Sequence, residues 1–272
     1  MKHFSRLFIF IACVLLFVNC KQKEKVNEGI VEANSEKWIQ LFNGIDLNDW
    51  NIKIKGYPLN ENAHNTFRVE DSILKVSYDE YDKFDENYGH IFYKKPFSSY
   101  KLRVQYRFTG NQFEGAADWA HRNSGVMIHS QSPESMAIDQ LFPLCIEVQM
   151  LGGITDGIPR STGNLCTPGS NVVIDGELVT DHCINSSSKT YYGDQWVNLE
   201  VLVLKDSIIS HKINGQNVLT YSKPQIGGGD MDEYNASYKT KIGEFLKEGY
   251  ISLQSESHPV EFKNIELLEL DY

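Results

Sequence analysis

The chain has 272 residues, 41% of them hydrophobic and 23% charged, with a formal net charge of −10. That length and apolar content support a sizeable core and argue against disorder. The acidic balance leaves no electrostatic footprint for nucleic acid and suits a neutral ligand better than a polyanionic one.

The first residues, "MKHFSR", are a short basic start, followed by apolar "LFIFIACVLLFV" and then "NC". This is the layout of a secretory signal peptide over residues 1–19, with an apolar part too short for a membrane span. Cys20, directly after it, is the candidate lipidation site. The expectation is therefore an exported bacterial lipoprotein of the cell envelope, periplasmic or at the cell surface, held to the membrane by its lipid. Ordinary secretion with cleavage nearby is the alternative. Residues 20–37 are polar and charged and read as a tether.

From Trp38 to Tyr272 the pattern is β. "TFRVEDSILKVS" (66–77) reads as two strands about a turn at Glu70-Asp71. "SYKLRVQYRF" (99–108) alternates Leu102, Val104 and Tyr106 against Arg103, Gln105 and Arg107. Further strands read at "SGVMIHSQ", "LCIEVQML", "NVVIDGELV", "WVNLEVLVL", "SIISHKINGQNVLTYS" and "GYISLQSESHPVEFKNIELLEL". Asn214-Gly215 marks a hairpin. Only "YNASYKTKIGEFLK" (234–247) has helical spacing. No second boundary shows, so residues 38–272 read as one all-β domain, a two-sheet antiparallel sandwich or jelly roll. Ile146, Val148, Val201, Ile251 and Leu253 are its expected core.

An exported protein meets oxidising conditions, which permits a disulfide. Cys145, inside an apolar strand, reads as a buried free thiol. Cys166 and Cys183 lie in loop-rich sequence and are the expected pair, contributing roughly 3 kcal/mol through loop closure.

Three strands have one apolar and one polar side. Met127, His129 and Gln131 share a face opposite Val126 and Ile128. Glu147 and Gln149 oppose Ile146 and Val148. Tyr250, Ser252, Gln254, Glu256 and His258 oppose Ile251 and Leu253. One such face is ordinarily just wet. Three together, rich in Glu, Gln, His and Tyr, suit a groove for a polyhydroxylated carbohydrate. Trp119, in the loop "GAADWAHRN" (115–123), is placed to stack on a sugar, whereas Trp50 and Trp196 read as packing residues. A conventional glycosidase needs two carboxylates. The central strand offers only Glu147, so Glu256 would have to be the second.

Six blocks carry a resemblance: "LFNGIDLNDW" (41–50), "HRNSGVMIHSQ" (121–131), "IEVQMLGG" (146–153), "STGNLCTPG" (161–169), "GDQWVNLEV" (193–201) and "GYISLQSESHPVEFKNIEL" (249–267). In order and spacing the chain resembles the 3-keto-disaccharide hydrolase family. The resemblance implies a concanavalin-like jelly roll and cleavage of glycosides already oxidised at C3. A C3 ketone acidifies the C2 hydrogen, so a base can form an enolate that expels the C1 substituent before water adds back.

This route needs a base, a group at the ketone oxygen and an acid at the leaving group. Glu147 is the expected base. Arg122, His129 and a divalent metal ion are candidates for holding the enolate. Gln149, Gln254, Glu256 and Tyr250 would bind hydroxyls or act as acid, with Asn123 beside them unless Asn123-Ser124-Gly125 is only a turn. His64 and His121 could join Glu147 at a metal, although no ligand spacing such as H-E-x-x-H is present. Asp230 and Asp232 read as a surface loop rather than a calcium site. The competing reading is a lectin-like module that uses the same groove without chemistry.

Overall fold

A computed structural model of the chain describes Met1 and residues 37–272. The expected signal peptide, Cys20 and nearly all of the tether lie outside the described residues. Residues 37–272 fold as two antiparallel sheets with hardly any helix. The helical spacing of 234–247 yields one turn, Ala236–Lys239.

The seven-stranded sheet, the site sheet below, runs in the order Cys183–Ile184, Asn164–Cys166, Ile146–Leu151, Asn123–Ser130, Tyr250–Ser255, Gly89–Tyr93 and Trp50–Ile54. The back sheet has ten strands, with Ser99–Phe108 between Val197–Leu204 and Val260–Glu269 at its centre. The Asn214-Gly215 hairpin joins Ile208–Ile213 to Gln216–Ile226, and both turn residues have positive φ, as a two-residue hairpin requires.

The core lies between the sheets. Leu102, Val104 and Tyr106 point into it from the back sheet; Val126, Ile146, Val148, Ile251 and Leu253 meet them from the site sheet. This packing follows from alternation: the odd residues of "CIEVQML" carry one set of side chains, and the even ones are apolar and fully buried. Trp50 is core, and Trp196 packs under the cationic groups of Lys263 (3.9 Å) and Arg107 (4.6 Å). Cys166 and Cys183 are cross-strand partners joined by a disulfide, and Cys145 is a buried free thiol.

Candidate functional site

The outward face of the site sheet is covered by loops, so side chains that alternation turns away from the core are nevertheless buried. Register pairing sorts them into rows. Glu147 pairs with Met127 on one side and Cys166 on the other. Gln149 pairs with Gly125 and Asn164. The 255–89 pair brings Glu256, just past its strand, alongside Tyr88.

A cavity of about 340 Å³ opens on this face. It is lined by Glu147, Gln149, Asn123 and Glu256, by Trp119 and Phe142, and by Pro168, His182 and the Cys166–Cys183 disulfide. Trp119 is 52% exposed and stacks on Tyr88 at 5.6 Å, leaving ring surface for a ligand. Tyr88 also packs against Phe142 at 5.3 Å.

The polar lining is oriented by its neighbours. Asn164 Nδ2 donates to Gln149 Oε1 at 3.1 Å, which leaves the Gln149 amide hydrogens for the cavity. Asn123 Oδ1 and Glu256 Oε2 are buried without a partner. Gly125 is where the Glu147 side chain leans: a Cβ there would stand 2.5 Å from Glu147 Oε1. Only glycine leaves room for that carboxyl.

Two buried carboxyls lining one cavity raise one another's affinity for protons. Burial pushes Glu147 up to about 8. Burial also raises Glu256 well above the carboxylate range, the charge of Glu147 adds to this, and Arg160 opposes it. The pair therefore holds a proton near neutrality, and its titration belongs to both groups. Arg160 itself is fixed by donating from Nη1 to the carbonyls of His121 (2.7 Å), Gly152 (2.7 Å) and Arg122 (3.2 Å).

Of the residues expected at the site, Glu147, Gln149, Asn123, Glu256 and Trp119 line one cavity. Gln254 lies on the same face but is fully buried, and both its amide atoms lack partners. The other three are elsewhere. Arg122 lies just before the strand with φ 47°, off its alternation; it donates to the Gly193 carbonyl, pairs with Asp194 at 3.8 Å and sits over Phe108.

His129 lies in a bulge. Tyr250 pairs with Ser130 but Ser252 with Met127, so one extra residue is accommodated on the Asn123–Ser130 strand, and His129 takes φ 49°. Its Nε2 meets the Lys205 carbonyl at 3.0 Å, and burial lowers its pKa to about 4. It is a structural histidine. Tyr250 lies beyond that register shift and does not line the cavity.

The proposed metal trio is not assembled: His64 contacts Tyr57 Oη at 3.0 Å and His121 stacks on His258 at 5.2 Å. Among the described residues no group of three or more His, Cys, Asp or Glu is gathered as a metal ion would require. Asp230 accepts from the Gly169 N–H at 3.0 Å, a loop tie.

Tyr88, Phe142, Pro168 and His182 were not read as site residues from the sequence. Tyr88 was legible, since it alternates with His90 and Phe92 into the Gly89–Tyr93 strand. Phe142, Pro168 and His182 lie in loops with no period, and nothing local marks them.

A two-sheet jelly roll with a buried acid pair, amides and an exposed tryptophan in one cavity has the form of a protein that handles carbohydrate, by cleaving or by binding it. Residues 37–268 match the model of the 3-keto-alpha-glucoside-1,2-lyase-like domain, and the chain belongs to that family. A search of curated proteins finds no match. Among solved structures, a candidate glycosyl hydrolase of Parabacteroides distasonis is similar at 18% identity with a TM-score of 0.52, over 87% of this chain and 95% of that one. A second P. distasonis structure described in the same words is similar at 16% identity and TM-score 0.52, over 86% and 100%. These likenesses show the fold, a concanavalin-like jelly roll.

Proposed function

We propose that the protein cleaves glycosides whose sugar carries a ketone at C3, by elimination across C1–C2 followed by hydration. The observation that carries this reading is that Glu147 and Glu256, both buried, line the same cavity and that burial raises both above the usual carboxylate range: two groups able to take and give protons at one site. The family description, a 1,2-lyase-like domain for 3-keto-glucosides, supports elimination as the first step.

Glu147 takes the C2 hydrogen as the C1–O bond breaks and the C1–C2 double bond forms. Glu256, protonated, delivers its proton to the departing oxygen. Water then adds back: Glu256 takes a proton from it as the hydroxyl joins C1, and Glu147, its abstracted proton exchanged with solvent, protonates C2, so the pair returns to its starting state. Gln149 and Asn123 bind hydroxyls, and Trp119 with Phe142 packs against the sugar face. Conventional hydrolysis by the same two carboxyls is the second reading, favoured by their sharing one cavity. A lectin-like module would gain nothing from two carboxyls held dry.

The test is a chromogenic 3-keto-glucoside set against its unoxidised parent. Wild type should cleave only the ketone, and Glu147→Gln should lose about 10²–10⁴-fold in rate with its circular dichroism unchanged. Efficient cleavage of the parent would instead establish the two-carboxylate route. Binding of the ketone without turnover would establish the lectin.

A further inference from the structure

Beneath the cavity a row of polar positions crosses the site sheet. Lys53 pairs with His90, and His90 with Gln254. The Leu253–Val126 pair sets Gln254 beside Gly125, which pairs in turn with Gln149. Residues opposite one another in this way share a face, with Cβ atoms about 5 Å apart. Gly125 is the gap in the row, and the Glu147 carboxyl leans into it. The acid thus lies between Gln254 and Gln149.

His90 and Gln254 are fully buried, yet both ring nitrogens and both amide atoms lack partners. Lys53 cannot serve them. Its three N–H groups go to the carbonyls of Ile54 (3.1 Å), Tyr57 (3.1 Å) and Ile138 (3.0 Å). Four buried polar atoms without partners cost stability, while apolar side chains of similar shape would cost nothing. The ring of His90 lies among Phe92 and Phe142, where a phenylalanine would pack. With Lys53 committed, the polar groups left in the same row are His90 and Gln254 themselves, the Glu147 carboxyl past Gln254 and, beyond it, the Gln149 amide.

We propose that His90 and Gln254 are positioning residues: the His90 ring N–H donates to the Gln254 amide oxygen, which turns the amide N–H toward Glu147 and holds its carboxylate over Gly125. The terminal torsion of a glutamine is soft, so the amide is free to turn between these two neighbours. Burial, with the fixed charge of Lys53 adding to it, lowers the His90 pKa to about 3. The ring is thus neutral, with one N–H to give. Glu256, His182 and Cys145 are the titratable groups that face Glu147, and Lys53 lies beyond His90. The variants below leave all four in place.

This inference rests on Glu147 being the base, so its test includes a readout that needs no substrate. Carboxyl carbons of isotopically labelled glutamates are titrated by NMR in the intact protein, the Glu147 signal being the one absent from Glu147→Gln. Gln254→Leu and His90→Phe should each raise the Glu147 pKa by about one unit, because a donor to the charged form is lost. Each should lower kcat by roughly 10-fold with KM within about 2-fold, and the double variant should do no more than either single change. His90→Gln keeps a donor and should restore most of the rate. An unmoved Glu147 titration, or additive losses in the double variant, overturns the proposal. A moved titration in a protein that cleaves no 3-keto-glucoside keeps the positioning pair and removes the catalytic reading instead.

Discussion

The outward faces of the two sheets carry similar side chains and use them in opposite ways. On the back sheet Asn264 donates to Gln105 (2.9 Å), Gln105 to Asn198 (2.7 Å) and Asn198 to Asn214 (2.8 Å). Beside that ladder Glu200 accepts from Arg103 (3.0 Å) and Lys212 (3.1 Å). These groups have water at hand and pair nevertheless. On the site sheet His90, Ser252, Gln254 and Glu256 are buried and each leaves at least one polar atom unpaired. A buried polar atom without a partner costs about 1–3 kcal/mol. The named groups of the exposed face find partners while buried groups of the site face do not, which is the contrast expected of a face that meets a ligand.

The contrast can be broken at its one covalent tie. The Cys166–Cys183 disulfide closes a 17-residue separation and walls the cavity. Replacing both cysteines with serine should lower unfolding stability by about 3 kcal/mol in a denaturant titration. A loss well below that would mean that the wall is held by its strand pairing alone.

A smaller effect is expected from filling the gap in the row. Gly125→Ala should keep the fold, since Gly125 is not among the positive-φ residues, and should displace the Glu147 carboxyl. The expected result is roughly a 100-fold fall in kcat on a 3-keto-glucoside, the scale of a 1 Å misplacement. An unchanged rate would show that the base is not held over Gly125.

The proton on the dry face sets the next prediction. The raised pKa of Glu147 means that the folded state holds a proton which the unfolded chain has released above the ordinary carboxylate range. Stability from this group is therefore complete at low pH and falls as pH rises toward about 8. Wild type should lose more stability than Glu147→Gln across this window, by at most about 5 kcal/mol. The depressed His90, His129, His211 and His258 act in the other direction at lower pH, so the difference between the two proteins carries the sign. Parallel curves would contradict a dry acid.

The smallest effect belongs to the wet face. Asn198→Ala removes the middle of the amide ladder and should cost less than about 1 kcal/mol, with kcat unchanged. A large loss of activity would erase the distinction between the faces. Outside the described residues, the reading of Cys20 as a lipid site expects Cys20→Ala to shift the protein from the detergent to the aqueous phase on partitioning, and unchanged partitioning would show that Cys20 is not an anchor.

Simple alternation was enough to place Glu147, Gln149, Gln254 and Glu256 on one face and Ile146, Val148, Ile251 and Leu253 on the other. It failed where the backbone departs from a regular strand. His129 at φ 49° and Ser257 at φ 86° each break the period, which sends His129 to Lys205 and His258 to the His121 ring. Arg122 was grouped with its neighbours by motif, and at φ 47°, just before the strand begins, it too lies where alternation fails. His90 went unread because its significance lies in its pairing with Gln254, and the separation of those strands in the chain hides that register. Phe142 and His182 reach the cavity on loops, whose paths no periodicity encodes.

The claim at the centre of this account is that the reaction begins at the C2 hydrogen. Cleavage of a 3-keto-glucoside in deuterated water, followed at early times by mass spectrometry and NMR of the released sugar, tests it directly. The released 3-keto-sugar incubated alone supplies the correction for spontaneous exchange. Elimination and hydration predict one deuterium at C2 for each bond cleaved, and no release from the unoxidised glucoside. Release of a sugar that keeps its original hydrogen at C2 would contradict the account and assign Glu147 and Glu256 to direct hydrolysis.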